Sequence, residues 1–276
     1  MKKLITTVVI SLTAGFAWAN SAQIQEEIDQ AAWFNQVLES AKSGDAQAQA
    51  DLASAYEWGC GTKPDNKLAL EWARKSAKQG NVDGLERYFR FQDIKELPLT
   101  KENLEFIEKL KILAEKGKIR AQLTLGLIYY FGAHNEKKER DLKSALKWYE
   151  KAYAQDNKDL VLSVEISYRL AGALQAIHIN DNDPSKVDEN IKKRIFNLTK
   201  YAADGGSTGG LENARNGVYD ADGYMAIYYR DGIGCKQNLL ESIKYAYQGA
   251  IFGDDFCLEF LKKTVNDLEN YLKSQK

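Results

Sequence analysis

The sequence predicts an all-helical protein built from repeated helix pairs. The chain has 276 residues and only three prolines, while the strong helix formers Ala, Leu, Lys and Glu are abundant. Apolar residues recur at helical spacing over long stretches. A short phrase ending in Gly or Asn also returns every 36 to 48 residues, which indicates a repeat.

The recurring phrase is expected to end a helix. Gly and Asn tolerate the left-handed backbone conformation that commonly terminates helices. The phrase closes at Gly44, Gly80, Gly117, Asn157, Gly205 and Gly253. Before it run stretches such as KLALEWARKSAKQG (67–80) and SALKWYEKAYAQDN (144–157), whose small and aromatic residues share one helix face. We therefore predict that each phrase follows the second helix of a helix-turn-helix unit.

The first helix of each unit carries a second pattern. Leu52-Ala53-x-x-Tyr56-x-x-Gly59 aligns with Leu125-Gly126-x-x-Tyr129-x-x-Gly132 and with Met225-Ala226-x-x-Tyr229-x-x-Gly232. This L-[AG]-x-x-Y-x-x-G-x-G pattern, followed by A-L-x-W-x-x-K-A-A-x-x-G, resembles the Sel1-like repeat, a relative of the tetratricopeptide repeat. The resemblance implies an all-α, right-handed superhelical solenoid of stacked helix pairs.

The predicted organisation is a signal peptide at 1–19, a capping helix at 20–43, a solenoid of about five helix pairs at 44–254 and a C-terminal cap at 255–276. Units 44–80, 117–157 and 217–253 match the pattern well, whereas 80–117 lacks the Tyr and the Gly-x-Gly turn, and 157–205 is the least regular. We expect the Gly- and Asn-rich segment 206–216 to be an insertion and 179–190 to be a lengthened loop.

The N-terminus is typical of a secretory signal. Lys2 and Lys3 precede an apolar run from Leu4 to Phe16, and Ala17-Trp18-Ala19 forms an A-x-A cleavage site. We expect a mature chain that starts near Asn20, lies in the periplasm and is not inserted in the membrane. The formal net charge of −1 gives no positive patch for nucleic acid, so no nucleic-acid partner is predicted.

The sequence predicts no catalytic residue, metal site or cofactor. His134 and His178 lie on different repeats without metal-ligand spacing, and the chain has no G-x-S-x-G elbow, Walker loop or dinucleotide fingerprint. We expect three free thiols: an exposed Cys60, and Cys235 and Cys257 as buried residues at opposite ends of a helix pair. Whether Cys60 joins an intermolecular disulfide stays open. In the family that the chain resembles, secreted cysteine-rich members bridge neighbouring helices at the position of Gly249.

A solenoid offers a concave surface formed mainly by its first helices. Assigning the Leu-Ala-x-x-Tyr-x-x-Gly positions to packing leaves a face rich in Trp, Tyr, Phe and Arg, the residue types enriched at interface hot spots. We predict partner binding by Trp58, Arg87, Arg90, Phe91, Tyr130, Phe131, Tyr168, Arg169, Tyr224, Tyr228 and Arg230. The alternative is that several of these aromatic residues only fill gaps between repeats.

The resemblance implies a protein-binding module without enzymatic activity. Stand-alone secreted members of this family include periplasmic immunity proteins that neutralise antibacterial effectors, and this role is our leading hypothesis. A cell-envelope adaptor or assembly factor fits the same features, as does a structural part of an envelope complex. A hydrolase acting on cell-wall or β-lactam substrates is a further alternative, for which a pocket with convergent titratable groups would be the sign.

Overall fold

Helices make up the fold. The computed structural model describes residues 25–155, 159–180, 183–207 and 220–274, and these ranges contain no strand. The helices are α1 at 25–42, α2 at Ala46–Trp58, α3 at Asn66–Lys78, α4 at Val82–Arg90, α5 at Lys101–Glu115, α6 at Ile119–Tyr130, α7 at Leu142–Tyr153, α8 at Leu160–His178, α9 at Glu189–Ser207, α10 at Asp220–Asp231, α11 at Leu239–Ile251 and α12 at Asp255–Ser274. A 3-10 turn at Pro184–Lys186 lies between α8 and α9. The predicted all-α fold class is confirmed.

The chain divides into two compact units, Met1–Thr124 and Leu125–Lys276, with the boundary inside α6. The N-terminal unit contains α1 to α5, and the C-terminal unit contains α7 to α12. Each unit has its own packing of helix pairs.

A left-handed glycine and a polar cap connect one repeat to the next. Gly44, Gly80, Gly117 and Gly253 have φ values between 79° and 102°, as expected for residues that end a helix. The residue after the glycine then caps the following helix: an Asp45 carboxylate oxygen accepts the backbone N–H of Ala48 at 2.6 Å. The predicted helix ends are confirmed at these four glycines.

Gly205 departs from the prediction. Helix α9 continues through it to Ser207, so Gly205 does not end the helix. A Cβ placed on Gly205 would lie 2.6 Å from Cγ2 of Val164, so glycine is needed there to let α9 approach α8 closely. Asn157, the other irregular position, lies outside the described residues.

In the N-terminal unit α1 covers the first repeat. Phe34 of α1 and Tyr56 of α2 make an edge-to-face ring contact with centroids 5.6 Å apart. A Cβ on Gly61 would lie 2.7 Å from Cβ of Phe34, so the turn after α2 passes directly over α1. The core here comprises Val37, Ala41, Ala48, Leu52 and Ala55, with Leu38, Cys60 and Trp72 packed against it.

The second repeat of this unit uses different contacts. Helix α4 is only 9 residues long and is joined to α5 by a non-helical segment in which Leu97 is buried. Tyr88 links the two helices, since its hydroxyl donates to Asn103 at 2.7 Å and its ring meets Phe106 edge to face at 4.8 Å. This buried tyrosine replaces the Tyr and Gly-x-Gly turn that the sequence of the unit lacks.

In the C-terminal unit Gly126 of α6 lies against Tyr149 of α7. Tyr149 is 1% exposed, and a Cβ on Gly126 would lie 2.6 Å from Cδ1 of its ring. The equivalent pair is Ala53 with Ala73 in the first repeat, and both alanines are fully buried. The two pairs fill the same contact in different ways, because a larger Tyr is matched by a smaller Gly.

A polar network joins α9 to α11. The Tyr245 hydroxyl donates to Asp204 at 2.6 Å, and the Lys200 ammonium donates both to Asp204 and, at 3.0 Å, to Tyr245. The Tyr245 ring stacks on Tyr229 of α10, with centroids 5.7 Å apart. Tyr229 also meets Phe196 of α9 edge to face at 5.3 Å, so the repeat tyrosine packs against the preceding pair.

The predicted capping segments and insertions lie only partly within the residues that the structure describes. Helices α1 and α12 fall within the segments predicted as N- and C-terminal caps. Within 179–190 the described part contains the 3-10 turn, where Asp183 accepts the Ser185 N–H at 3.0 Å. The predicted signal peptide at 1–19 lies outside the described residues, as does most of the predicted insertion at 206–216.

Helix α8 is the one described helix with the length and composition to cross a membrane, with a mean hydropathy of 1.3. Half of that stretch is buried inside the fold. Val164, Leu170 and Ala173 of α8 are fully buried. A core helix of a repeat array has these properties as well.

The three cysteines are free thiols in different surroundings. Cys257 is fully buried, and its thiol donates to Asp254 at 3.0 Å. Cys235 is half-buried, its thiol lies 3.4 Å from the Tyr228 carbonyl oxygen, and burial raises its pKa. Cys60 was expected to be exposed, but it is half-buried because the turn after α2 packs on α1.

Replacing Gly126 with Ala should destabilise the protein by about 1–3 kcal/mol, because the new methyl group overlaps the buried ring of Tyr149. Gly172 of α8 is the matched control, since a Cβ there would have no atom within 4 Å. Gly172→Ala should stabilise by about 0.5–1 kcal/mol through the helix preference of Ala. Thermal unfolding followed by circular dichroism tests both, and shifts of the same sign would contradict the packing described.

The cysteines should react with a thiol reagent in the order Cys60, Cys235, Cys257. Cys257 has no exposed surface, and the raised pKa of Cys235 leaves little thiolate at neutral pH. Timed alkylation followed by peptide mass spectrometry measures the order, with denatured protein as the control in which all three react. Fast labelling of Cys257 in folded protein would show that α11 and α12 separate readily.

Candidate aromatic pocket

Four of the predicted binding residues lie in the N-terminal unit. Trp58, at the end of α2, is 51% exposed. Arg87 and Arg90 of α4 both pair with Glu57 of α2, at 3.2 and 2.6 Å. The Arg90 guanidinium lies 5.8 Å from the ring centroid of the half-buried Phe91. The two arginines therefore connect neighbouring first helices, and Trp58 is the most exposed of the four.

Five of the predicted residues line one pocket in the C-terminal unit. Tyr130 and Phe131 come from the end of α6, Tyr168 and Arg169 from α8, and Tyr224 from α10. The cavity has a volume of about 240 Å³, and its lining is completed by Leu127, Tyr149, Ala171, Gly172, Gln175 and Thr199. Three consecutive first helices thus bring together side chains that are up to 94 residues apart in sequence.

The pocket walls are fixed by contacts among the aromatic rings and arginines. Tyr130 and Phe131 meet edge to face, with centroids 5.1 Å apart. The guanidinium of Arg140 lies 4.4 Å from the ring centroid of Tyr130, and its Nε–H donates to the Tyr130 carbonyl oxygen at 3.0 Å. Arg169 lies 5.7 Å from the ring centroid of Tyr168. The walls therefore combine flat aromatic faces with two arginines, Arg169 on α8 and Arg140 in the segment between α6 and α7.

Tyr149 closes the pocket on the side of α7. Burial raises the pKa of its hydroxyl, so the group stays protonated at any physiological pH. Its ring reaches this place because Gly126 leaves room for it. The small residue in the repeat pattern thus supports one wall of the candidate site.

Tyr228 was predicted to face outward, and this placement is wrong. It is 1% exposed, and its hydroxyl donates to Gln175 of α8, while burial raises its pKa. Ala55 and Ile128, at the same repeat position, are likewise fully buried. Tyr228 is covered by α8, whose Gln175 accepts the hydrogen bond of its hydroxyl, and Ala55 belongs to the core cluster formed with α1.

Arg230 lies apart from the pocket lining. Its Nε and Nη2 donate to the two carboxylate oxygens of Asp231 at 2.6 and 2.7 Å. The guanidinium also lies 5.3 Å from the ring centroid of Phe260 on α12. The Arg230 side chain is 45% exposed, but its guanidinium already contacts Asp231 and Phe260 within the C-terminal unit.

A larger hollow was not predicted. It has a volume of about 670 Å³ and lies among α7, α8 and α9, lined in part by Tyr153, Tyr201, Lys193 and Arg194. Arg194 pairs with Glu150 at 2.7 Å. The repeat pattern gives no signal for it, because it forms in the least regular unit and beside residues that belong to second helices. Tyr153 and Tyr201 in its lining are exposed tyrosines.

Metal-ligating residues do not converge in the described part of the chain. No group of three His, Cys, Asp or Glu there is placed to hold a metal ion. A Ser-x-x-Lys spacing of the kind found in β-lactam-binding serine enzymes occurs at Ser144 and Lys147. Hydrogen bonds from Ser144 lower the pKa of Asp141 at the start of α7, while Lys147 lies over the Trp148 ring. Neither residue lines the two pockets described.

The family model that matches the chain describes the Sel1 repeat, at residues 46–81, 119–157 and 221–251. These segments contain α2 with α3, α6 with α7, and α10 with α11. These three segments of the chain are Sel1 repeats. The matches cover the three units whose sequences are most regular, and no curated protein matches the chain.

Solved structures agree with this fold at low sequence identity. A Sel1 repeat protein from Oxalobacter formigenes aligns with a TM-score of 0.54 and 15% identity, covering 86% of each chain. A protective antigen of uropathogenic Escherichia coli strains, displaying an SLR fold, aligns with a TM-score of 0.51 and 22% identity. That alignment covers 86% of this chain but 53% of the antigen, so the chain spans about half of the antigen's length. Sel1 repeat proteins in general mediate protein–protein interaction, which is the coarse function that the fold supports.

Proposed function

We propose that this protein binds a partner protein in the periplasm through the aromatic pocket of its C-terminal unit. The observation that carries the proposal is the convergence of Tyr130, Phe131, Tyr168, Arg169 and Tyr224 on one cavity. Interface hot spots are typically aromatic or Arg side chains around a well-packed depression that excludes water. The pocket has this composition, and its donors are held on helices.

The pocket lining favours binding over chemistry. It contains no carboxylate, imidazole or thiol, so the hydroxyls of Thr199 and the tyrosines have no such base within the lining to activate them as nucleophiles. Its tyrosines include Tyr149, whose pKa is raised by burial, and a neutral hydroxyl of this kind is a hydrogen-bond donor. The hydrolase alternative therefore has no support from this pocket.

The sharper form of the proposal is an immunity protein that neutralises a secreted antibacterial effector. A single compact anchor pocket suits one dedicated partner better than a broad set of clients, because its specificity depends on one fitting side chain. An envelope adaptor would use the same pocket to bind a component of an envelope complex. Affinity capture of the tagged protein from periplasmic extract, followed by mass spectrometry, separates the two roles by what is captured: a toxic effector whose activity is blocked, or a component of an envelope complex.

The periplasmic part of the proposal is supported by the sequence of residues 1–19. The mature N-terminus is expected at or near Asn20, because the charged start, the apolar run and the A-x-A site occur in the order that signal peptidase requires. Intact-mass analysis of protein from a periplasmic fraction checks this. A full-length species confined to the cytoplasm would overturn the location and leave the pocket proposal intact.

Replacing Tyr130 and Phe131 together with Ala should weaken partner binding on the order of a thousandfold. Truncation of a hot-spot residue costs about 2 kcal/mol or more, and about 1.4 kcal/mol corresponds to tenfold in affinity. The fold should survive, since both side chains are only half-buried. Isothermal titration with the captured partner measures the effect.

The matched control is Tyr129→Ala, one residue away. Tyr129 belongs to the repeat pattern and its ring lies 4.7 Å from that of His134, outside the pocket. This variant should lower the melting temperature while the folded protein binds with unchanged affinity. If the double variant binds normally and melts early instead, the two faces of α6 have been assigned the wrong way round.

A further inference from the structure

The aromatic pocket has one charged residue in its lining, Arg169, and no acidic residue. The Nε of Arg169 is buried and has no hydrogen-bond partner among the described residues. Glu165, one turn earlier on α8, lies 3.7 Å from Nη2, which is longer than a hydrogen bond. The guanidinium is therefore charged and desolvated at Nε without a local acceptor for that donor.

Nε itself is closed off from solvent, but the Arg169 side chain is 26% exposed, so the rest of its guanidinium can meet an acceptor from outside the chain. A buried polar group without a partner destabilises the protein, and the cost is larger for a charged group. Arg140 adds a second positive charge beside the pocket, 4.4 Å from the Tyr130 ring centroid, and Glu165 is the nearby negative charge. The balance near the cavity is thus positive by about one charge, which matches a single carboxylate.

The size of the cavity limits what can enter it. Its volume of about 240 Å³ is below the range of about 300–1,000 Å³ that is usual for pockets holding drug-sized molecules. It equals the liquid volume of roughly eight water molecules, at about 30 Å³ each. A single long side chain projecting from another protein fits this space.

We infer that the pocket receives an acidic side chain of the partner protein, with its carboxylate on Arg169 and its methylene stem between Tyr130 and Tyr168. This inference rests on the proposed function and names the chemistry of the contact. The planar guanidinium matches a carboxylate in geometry, and the aromatic walls exclude water, which strengthens the charge-assisted hydrogen bond. A phosphate group carries more negative charge than this lining compensates.

The test uses the mature protein and three N-acetylated pentapeptides as probes. The first is N-acetyl-Gly-Leu-Glu-Leu-Gly-amide, the second has Gln in place of Glu, and the third keeps Gln but ends in a free carboxylate. Binding is followed through the Nε–H resonance of Arg169 in nitrogen-15 NMR, assigned by its loss in Arg169→Gln. The Glu peptide should shift this resonance in a saturable way, and the Gln amide should not.

Affinities of the variants are measured by isothermal titration calorimetry, because Arg169→Gln lacks the Nε–H resonance. Arg169→Gln should weaken binding of the Glu peptide at least tenfold, whereas Arg74→Gln should leave it unchanged. Arg74 is the matched control because it is 53% exposed on α3 and pairs with Glu102, away from the pocket. Arg169→Lys keeps the charge but loses the planar donor pair, so it should bind more weakly than the native protein and more tightly than Arg169→Gln. Melting temperatures verify that each variant is folded. If Arg169→Gln does not fold, the weaker binding expected for Arg169→Lys tests the contact with the carboxylate.

Equal binding of the Glu and Gln amide peptides, or no movement of the Arg169 resonance with the Glu peptide, would overturn the inference. A shift caused only by the peptide with the free C-terminus would also overturn it, in favour of a chain-terminal carboxylate. The proposed function can stand when this inference fails. If the captured partner loses affinity with Tyr130→Ala and Phe131→Ala but not with Arg169→Gln, the pocket is the binding site and its occupant is not acidic.

Discussion

The close contact between the two helices of each repeat is the constraint on which the rest of the structure depends. Packed helices lie about 8–10 Å apart, and the distance depends on the side chains at the contact, so small residues facing each other allow a close approach. Ala53 with Ala73, and Ala226 with Ala246, provide this in the first and last matched repeats, and all four are fully buried. Gly249 of α11 provides a similar contact with the following helix α12, since a Cβ there would lie 3.1 Å from the Cys257 Cβ. A side chain added at such a point has no free space to enter. The small residues of the repeat pattern are therefore required by the close packing of the helices.

The pair Gly126 and Tyr149 satisfies the same constraint in a way that creates a site. Because Gly126 gives up its side chain, the Tyr149 ring fits between α6 and α7 and closes one side of the pocket. In the equivalent place the other matched repeats have an alanine, which has no side chain long enough to reach such a position. Stability and recognition are therefore coupled in this repeat: the ring that fills the core of the helix pair also shapes the surface that a partner would meet.

The aromatic residues of the first helices serve two different purposes. Tyr56 and Tyr229 pack their rings on Phe34 and Phe196 of a preceding helix. Tyr224 reaches the pocket, but Tyr228, one turn later on α10, is buried and donates to Gln175. A helical period of 3.6 residues places both of these side chains on nearly the same face. The neighbouring helix α8 covers one and leaves the other partly exposed, so composition alone does not tell packing tyrosines from binding tyrosines.

The sequence by itself determined the helical class, the repeat boundaries at Gly44, Gly80, Gly117 and Gly253, and the Sel1 pattern, because these follow from local rules: which residues end helices, which cap them and which recur at helical spacing. It also indicated Tyr130, Phe131, Tyr168, Arg169 and Tyr224 as candidates, but not that they line one cavity. Tertiary structure alone decided that Tyr228 and Ile128 are buried, that Arg87 and Arg90 are held by Glu57, and that Gly205 lies within a helix. The physical reason is that a single repeat specifies its own helix pair, whereas the contacts that cover or expose a side chain come from the next repeat in space.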